Sequence, residues 1–147
     1  MTTIHRQATI DDIPAIHSLV KVLASFEKEE NAVTVDAEYY ARCFEDEIFQ
    51  VIVAEDQKKV VGMALFYMTF STWKGKMMYL EDFVVLPEYR NKGVGNKLWQ
   101  EWINISKDQG CKMVKWQVLD WNSDAVRFYE RQGATIEKQW WNGKIIF

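Results

Sequence analysis

Val84-Val85-Leu86-Pro87-Glu88-Tyr89-Arg90-Asn91-Lys92-Gly93-Val94-Gly95-Asn96-Lys97-Leu98 runs from an apolar stretch, through a basic turn with two glycines, into a helical period. The first turn of a helix carries unpaired backbone N–H groups and the positive end of its dipole. Glycine lets a phosphate approach such a backbone closely, and Arg90 and Lys92 add positive charge. A strand, a glycine turn and a helix in this order suit a pyrophosphate. The spacing is R-x-x-G-x-G. It is neither the G-x-G-x-x-G of dinucleotide folds nor the G-x-x-x-x-G-K-[ST] of P-loops.

The flanking sequence extends the same alternation. Downstream, Val94, Leu98, Trp102 and Ile105 lie at helical spacing, and Gly110 stops the helix. Met113 to Leu119 reads as a strand, Ser123 to Arg131 as a helix ended by Gly133, and Thr135–Lys138 and Trp140–Phe147 as strands around Asn142-Gly143. Upstream, Phe49–Ala54, Val60–Phe70 and Lys76–Leu86 are strands joined by short turns, which predicts an antiparallel meander. Before them come a helix over Asp36–Asp46 and another whose face is Ile13, Ile16, Val20 and Leu23, capped by Thr9 or Asp11. A strand over Thr3–Ala8 begins the series. The expected order is βααβββαβαββ. A strand–helix–strand passage after Leu86 implies one parallel crossover, so the expected fold is α/β with a mixed sheet, one domain over residues 1–147.

Composition bounds the function. The chain of 147 residues is 48% hydrophobic and 27% charged, the balance of a globular domain with a real core. A net charge of −3 argues against a nucleic-acid groove. No apolar run approaches the roughly 20 residues needed to span a bilayer, and Met1 to Gln7 has no signal-peptide core, so a cytoplasmic protein without membrane contact is expected. Cys43 and Cys111 lack metal-ligand spacing; both are expected to be reduced and structural, and no metal is expected. The aromatics, with seven Trp among them, are expected mostly in the core. His5 and His17 lie far from the motif in sequence and are assigned to packing or surface.

Glu81-Asp82 stands out within an otherwise apolar strand, between Met77-Met78-Tyr79-Leu80 and Phe83-Val84-Val85. Acids are expensive to bury, which points to a functional use for them. Plain alternation sends the two side chains to opposite faces unless a bulge intervenes.

A second motif follows. Asn122, Ala125, Phe128, Tyr129 and Gly133 fit the pattern N-x-x-A-x-x-F-Y-x-x-x-G position by position. Together with strand–RNKGVG–helix and the element order, it resembles the GNAT superfamily of N-acetyltransferases over essentially the whole chain. The resemblance implies the GNAT fold, acetyl-CoA as co-substrate and transfer of its acetyl group to an amine. It implies that the backbone of Phe83, Val84 and Val85 pairs with the pantetheine arm. The turn from Asn91 through Lys92, Gly93, Val94 and Gly95 to Asn96, with Arg90, would hold the pyrophosphate. Asn122 and Tyr129 would line the arm's other side, and Tyr129 would protonate the departing sulfur.

Trp73-Lys74-Gly75-Lys76-Met77-Met78-Tyr79-Leu80-Glu81-Asp82-Phe83 further resembles the diamine branch, the spermidine/spermine and thialysine N-acetyltransferases. That resemblance implies Glu81 as base, through a water, and Asp82, Glu27 and Trp73 as contacts for a small cationic amine. It also implies a homodimer. The chemistry requires such a base, because an alkyl amine titrates at about 10.4 and attacks only when neutral. Two alternatives remain open: an acetyltransferase acting on protein N-termini or lysines, and a GNAT-fold protein that binds acetyl-CoA or a polyamine without turnover.

Overall fold

A computed structural model describes residues 2–147. Its elements are β1 (Ile4–Gln7), α1 (Ile13–Phe26), α2 (Ala37–Glu45), β2 (Gln50–Asp56), β3 (Lys59–Ser71), β4 (Gly75–Val85), α3 (Val94–Asp108), β5 (Met113–Trp116) and α4 (Ser123–Arg131). Short 3-10 turns precede α1, at Ile10–Asp12, and α3, at Pro87–Tyr89. One five-stranded sheet has the order β1-β2-β3-β4-β5. The first three pairings are antiparallel and β4–β5 is parallel, so the mixed sheet and its single crossover through α3 are present as expected.

Local chemistry sets the element ends. Asp36 caps α2, its Oδ1 accepting from the Tyr39 amide at 2.9 Å. Thr9 N–H donates to Asp12 Oδ2 at 2.7 Å, and Arg6 holds both Asp12 and Glu55, tying β1 to the start of α1 and to β2. The β2–β3 turn has no glycine, although Gln57 and Lys58 both take positive φ, 47° and 67°. Two successive left-handed residues match the twist of a hairpin.

The sheet buries both faces. On one side Ile13, Ile16, Leu19 and Val20 of α1 pack on Val51, Val53, Met63, Leu65 and Val84. On the other, Phe66 meets Trp102 of α3 at 6.5 Å between ring centroids, and Trp102 meets Trp99 at 5.0 Å. The tryptophans are less buried than expected: Trp99 and Trp102 are core, whereas Trp73, Trp121, Trp140 and Trp141 are exposed.

Compactness divides the chain after Gln117; the second unit, Val118–Phe147, holds α4 and the segment behind it. Here the sequence reading is corrected. Thr135–Lys138 and Trp140–Phe147 form no strand, and Trp140, Trp141, Ile145, Ile146 and Phe147 are exposed. Alternation and turn residues favour an extended chain, but a strand exists only through a ladder, and no ladder among the described residues includes this segment. The expected strand over Met113–Leu119 likewise ends at Trp116, where its pairing with Leu80 ends.

Candidate active site

The register of β3 and β4 shapes the site. Leu65 pairs with Asp82 and Phe66 with Leu80, so Glu81 is the extra residue of a β-bulge. A bulge inserts one residue and breaks the alternation locally. Leu80 lies opposite Phe66 and Phe83 stacks edge-on against Trp99 at 6.1 Å, so both face α3. Glu81 and Asp82 between them therefore share the opposite face, the one covered by α1 and α2. Plain alternation would set the two acids on opposite faces; here the bulge intervenes and keeps them together.

Three tyrosines surround the acids, and the sequence reading gave none of them a role in the site. Tyr67 of β3 stacks on Tyr79 of β4 with centroids 5.5 Å apart and planes 25° from parallel. Its hydroxyl donates to Glu81 Oε1 at 2.9 Å. Tyr40 of α2 is held edge-on by His17 at 4.9 Å, and His17 Nε2 is itself 2.8 Å from the Val35 carbonyl. Burial, then Asp82, then Glu81 raise the Tyr40 phenol, and burial followed by Glu81 raises Tyr79. A signal existed in the sequence: Tyr67 and Tyr79 occupy the same strand parity as the acid-bearing face. Without the bulge and the register, parity alone could not join them to Glu81.

Asp82 is the most perturbed carboxyl of the group. Burial first, then Glu81, then Glu27 push it up to about 7. Glu27, at the C-terminal end of α1, is half-buried, and burial followed by Glu29 raises it as well. The structure thus brings Glu27, Glu81 and Asp82 into one electrostatic neighbourhood, and none of them makes an ion pair among the described residues. Carboxylates drawn together without a cation favour a cationic guest. Trp73 does not join them. It is 83% exposed in the β3–β4 turn, about 20 Å along β4 from Glu81 at the usual rise per residue.

Beyond Leu80 the parallel ladder to β5 stops, while β4 continues against β3 to Val85. Leu86 N–H donates to the Val61 carbonyl at 2.9 Å, so Val61 and Leu86 form a hydrogen-bonded pair. Antiparallel alternation then turns the peptide groups of Val85 and Phe83 away from β3 and those of Val84 toward it. The three residues expected to meet the pantetheine arm divide accordingly: Phe83 and Val85 present backbone outward, while Val84 packs its side chain in the α1 core.

The turn beyond is held open by its own contacts. Arg90 Nε donates to the Val85 carbonyl at 3.1 Å and its guanidinium lies 5.3 Å from the Phe26 ring centroid. Lys92 Nζ lies 5.8 Å from the Tyr89 ring centroid, and the Tyr89 hydroxyl donates to Asp56 Oδ2 at 2.8 Å. Asn91 and Gly93 take positive φ, 59° and 83°, which turns the chain sharply into α3. A Cβ at Gly93 would meet nothing within 4 Å. One at Gly95 would make ordinary van der Waals contact with Phe83 and Val85 at 3.8 Å, so the packing there does not itself demand a glycine. The amides of Val94 and Gly95 sit in that first turn, where no intrahelical acceptor exists. The result is a positively polarised stretch of backbone at the end of β4.

In the second unit, Asn122 caps α4, its Oδ1 accepting from the Ala125 amide at 3.2 Å. Tyr129 is buried and stacks edge-on with Phe128 at 5.6 Å. A cavity of about 530 Å³ lined by Gln7, Phe44, Phe49, Gln50 and Phe66, among others, contains none of the expected site residues.

Residues 15–134 match the sequence model of the acetyltransferase (GNAT) family. The chain belongs to this family. The acetyltransferase is 34% identical over 139 residues to the thialysine N-epsilon-acetyltransferase of Bos taurus, covering 88% of this chain and 82% of that one. It is 36% identical to the mouse protein of the same name, with the same coverage. The human spermidine/spermine N(1)-acetyltransferase-like protein 1 is 32% identical over 138 residues, 88% of this chain but 20% of that longer one. Among solved structures, an aminoglycoside acetyltransferase from an uncultured soil metagenomic sample superposes with a TM-score of 0.83 at 20% identity, covering 99% of this chain and 96% of that one. At that identity the likeness concerns the fold alone.

Proposed function

We propose that this acetyltransferase moves the acetyl group of acetyl-CoA to a primary amine of a small cationic acceptor, a diamine, polyamine or thialysine-like molecule. The observation that carries the reading is the grouping of Glu27, Glu81 and Asp82 on one face without a compensating cation. The names of its relatives support the same acceptor class.

The co-substrate would lie along the outward backbone of Phe83 and Val85. Its pyrophosphate would rest on the amides of Asn91 to Asn96, where the dipole of α3 and the charges of Arg90 and Lys92 favour an anion. An ammonium acceptor would settle among Glu27, Glu81 and Asp82. Glu81, through a water, takes the proton that the amine must lose. The amine nitrogen then bonds to the thioester carbonyl carbon, the C–S bond breaks, and Tyr129 protonates the departing thiolate. We further propose that residues 1–147 act as one acetyltransferase domain, since the family match runs through both compact units, and that the protein is a cytoplasmic homodimer needing no metal, nucleic acid or membrane.

The test is CoA release from acetyl-CoA, read with a thiol reagent, over spermidine, spermine, putrescine, thialysine, lysine, an aminoglycoside and a lysine-containing peptide. Turnover on one of the first four is expected. Turnover only on the aminoglycoside or the peptide would discard the acceptor class. Tight acetyl-CoA binding with silence on every acceptor would favour a binder without turnover.

A further inference from the structure

The Glu81 side chain is solvent-exposed, on the bulge of β4. An exposed glutamate samples many rotamers, and fixing one costs side-chain entropy. A base that must meet a bound amine at hydrogen-bonding range benefits when that ordering is complete before the substrate arrives. The structure contains the ordering device. The Tyr67 hydroxyl holds Glu81 Oε1 at 2.9 Å. The Tyr67 ring packs against Tyr79 in an offset stack, centroids 5.5 Å apart and planes 25° from parallel. Tyr67 and Tyr79 are direct cross-strand partners one step below the bulge. The pair thus leans along the sheet toward the residue that the bulge throws out of register. With Oε1 engaged, Glu81 presents Oε2 to whatever enters.

We propose that Tyr67, braced by Tyr79, is the positioning residue that orients the Glu81 carboxylate for proton removal from the acceptor amine. This rests on Glu81 being the base. The groups facing Glu81 are Tyr67 from β3, Tyr79 and Asp82 from β4, and Tyr40 from α2, with Glu27 of α1 beyond Asp82. Of these, only Tyr67 donates a hydrogen bond to its carboxylate among the described residues. A donor to a carboxylate oxygen fixes geometry without consuming the second oxygen, which remains available for an amine or its bridging water.

The test is a double-mutant cycle in steady-state kinetics with the accepted amine, supported by thermal melts of each variant. Tyr67→Phe keeps the ring and its stacking and removes only the donor. It is expected to lower kcat about tenfold while both KM values stay within about twofold. Glu81→Gln is expected to lower kcat more, and adding Tyr67→Phe to it is expected to change nothing further, because the residue acted upon is already gone. Tyr79→Leu, which releases the ring but leaves the hydroxyl, should lower kcat in the same direction and be equally silent beside Glu81→Gln. If Glu81→Gln impairs turnover but Tyr67→Phe does not, or if the two effects multiply, the positioning role is wrong and the base assignment stands. If Glu81→Gln leaves turnover intact, the base assignment falls and the role of Tyr67 falls with it.

Discussion

Asp82 is where the residue scale is most informative. Its carboxyl sits at about 7 because burial and two neighbouring acids penalise the charge. An unfolded chain releases that proton near pH 4, whereas the native state keeps it to about pH 7. The native state therefore binds more protons across that interval, and its stability falls as pH rises through it. Asp82→Asn removes the penalty. Without ligand, the variant should melt several degrees above the parent at pH 8 and level with it near pH 4, in a series of thermal melts against pH. A difference that ignores pH would mean that Asp82 is not held protonated. Tyr129 belongs to the same scale. As the proposed acid, it should lower kcat by about 100-fold on replacement with Phe, with the KM for acetyl-CoA within about threefold. An unchanged kcat would leave the thiolate to solvent. The acids were legible in the sequence because charge inside an apolar strand needs a reason. Tyr67 and Tyr79 were not, because an aromatic in a strand already has a reason, and only the register shows that they lie beside a carboxylate.

At the scale of elements, two features organise the site: a bulge in β4 and the glycine entry to α3. The entry was legible as a turn into a helix, since glycines ahead of a helical period mark such a passage, and the family resemblance rather than the turn alone pointed to an anion. The bulge was not, because nothing in Leu80-Glu81-Asp82-Phe83 says where the partner strand slips by one. Its effect is large: one inserted residue converts two opposed acids into two neighbours on one face. Gly93 separates backbone need from ligand need. Its φ of 83° is costly for most side chains but tolerable for Asn, and the space above it is open. Gly93→Asn should keep the melting temperature within about 2 °C of the parent while raising the KM for acetyl-CoA about tenfold, since the new side chain fills the open space that the proposed pyrophosphate would use. Equal KM values would place the pyrophosphate elsewhere. The terminal strands illustrate the opposite limit. Trp140–Phe147 has the composition of a strand, but a strand is a relation between two segments, and a sequence describes only one of them.

At the scale of the whole molecule, the fold was legible almost to the end, because the alternation of period-2 and period-3.6 segments fixes a meander followed by one crossover. A solved aminoglycoside acetyltransferase structure shares the fold at 20% identity, with a TM-score of 0.83. In this chain the apolar positions divide between the two sheet faces, Val53, Met63 and Val84 packing with Ile16 of α1 and Phe66 with Trp102 of α3. Glu27, Glu81 and Asp82 lie outside that apolar pattern and share one electrostatic neighbourhood.

The β2–β3 turn has a practical corollary for protein engineering. Gln57 and Lys58 both hold left-handed backbone that side chains of their kind adopt at a cost of about 1–2 kcal/mol each. The turn is exposed and carries none of the groups assigned to the chemistry. Replacing the pair with Asn-Gly, the dipeptide this geometry favours, should raise the melting temperature by about 3 °C and leave kcat and both KM values unchanged. No gain in melting temperature would show that the turn is relaxed as it stands. With the gain, the molecule acquires thermal headroom at a site separate from its carboxylates. Variants of the acidic cluster that fold poorly in the parent chain could then be purified and assayed in the reinforced one.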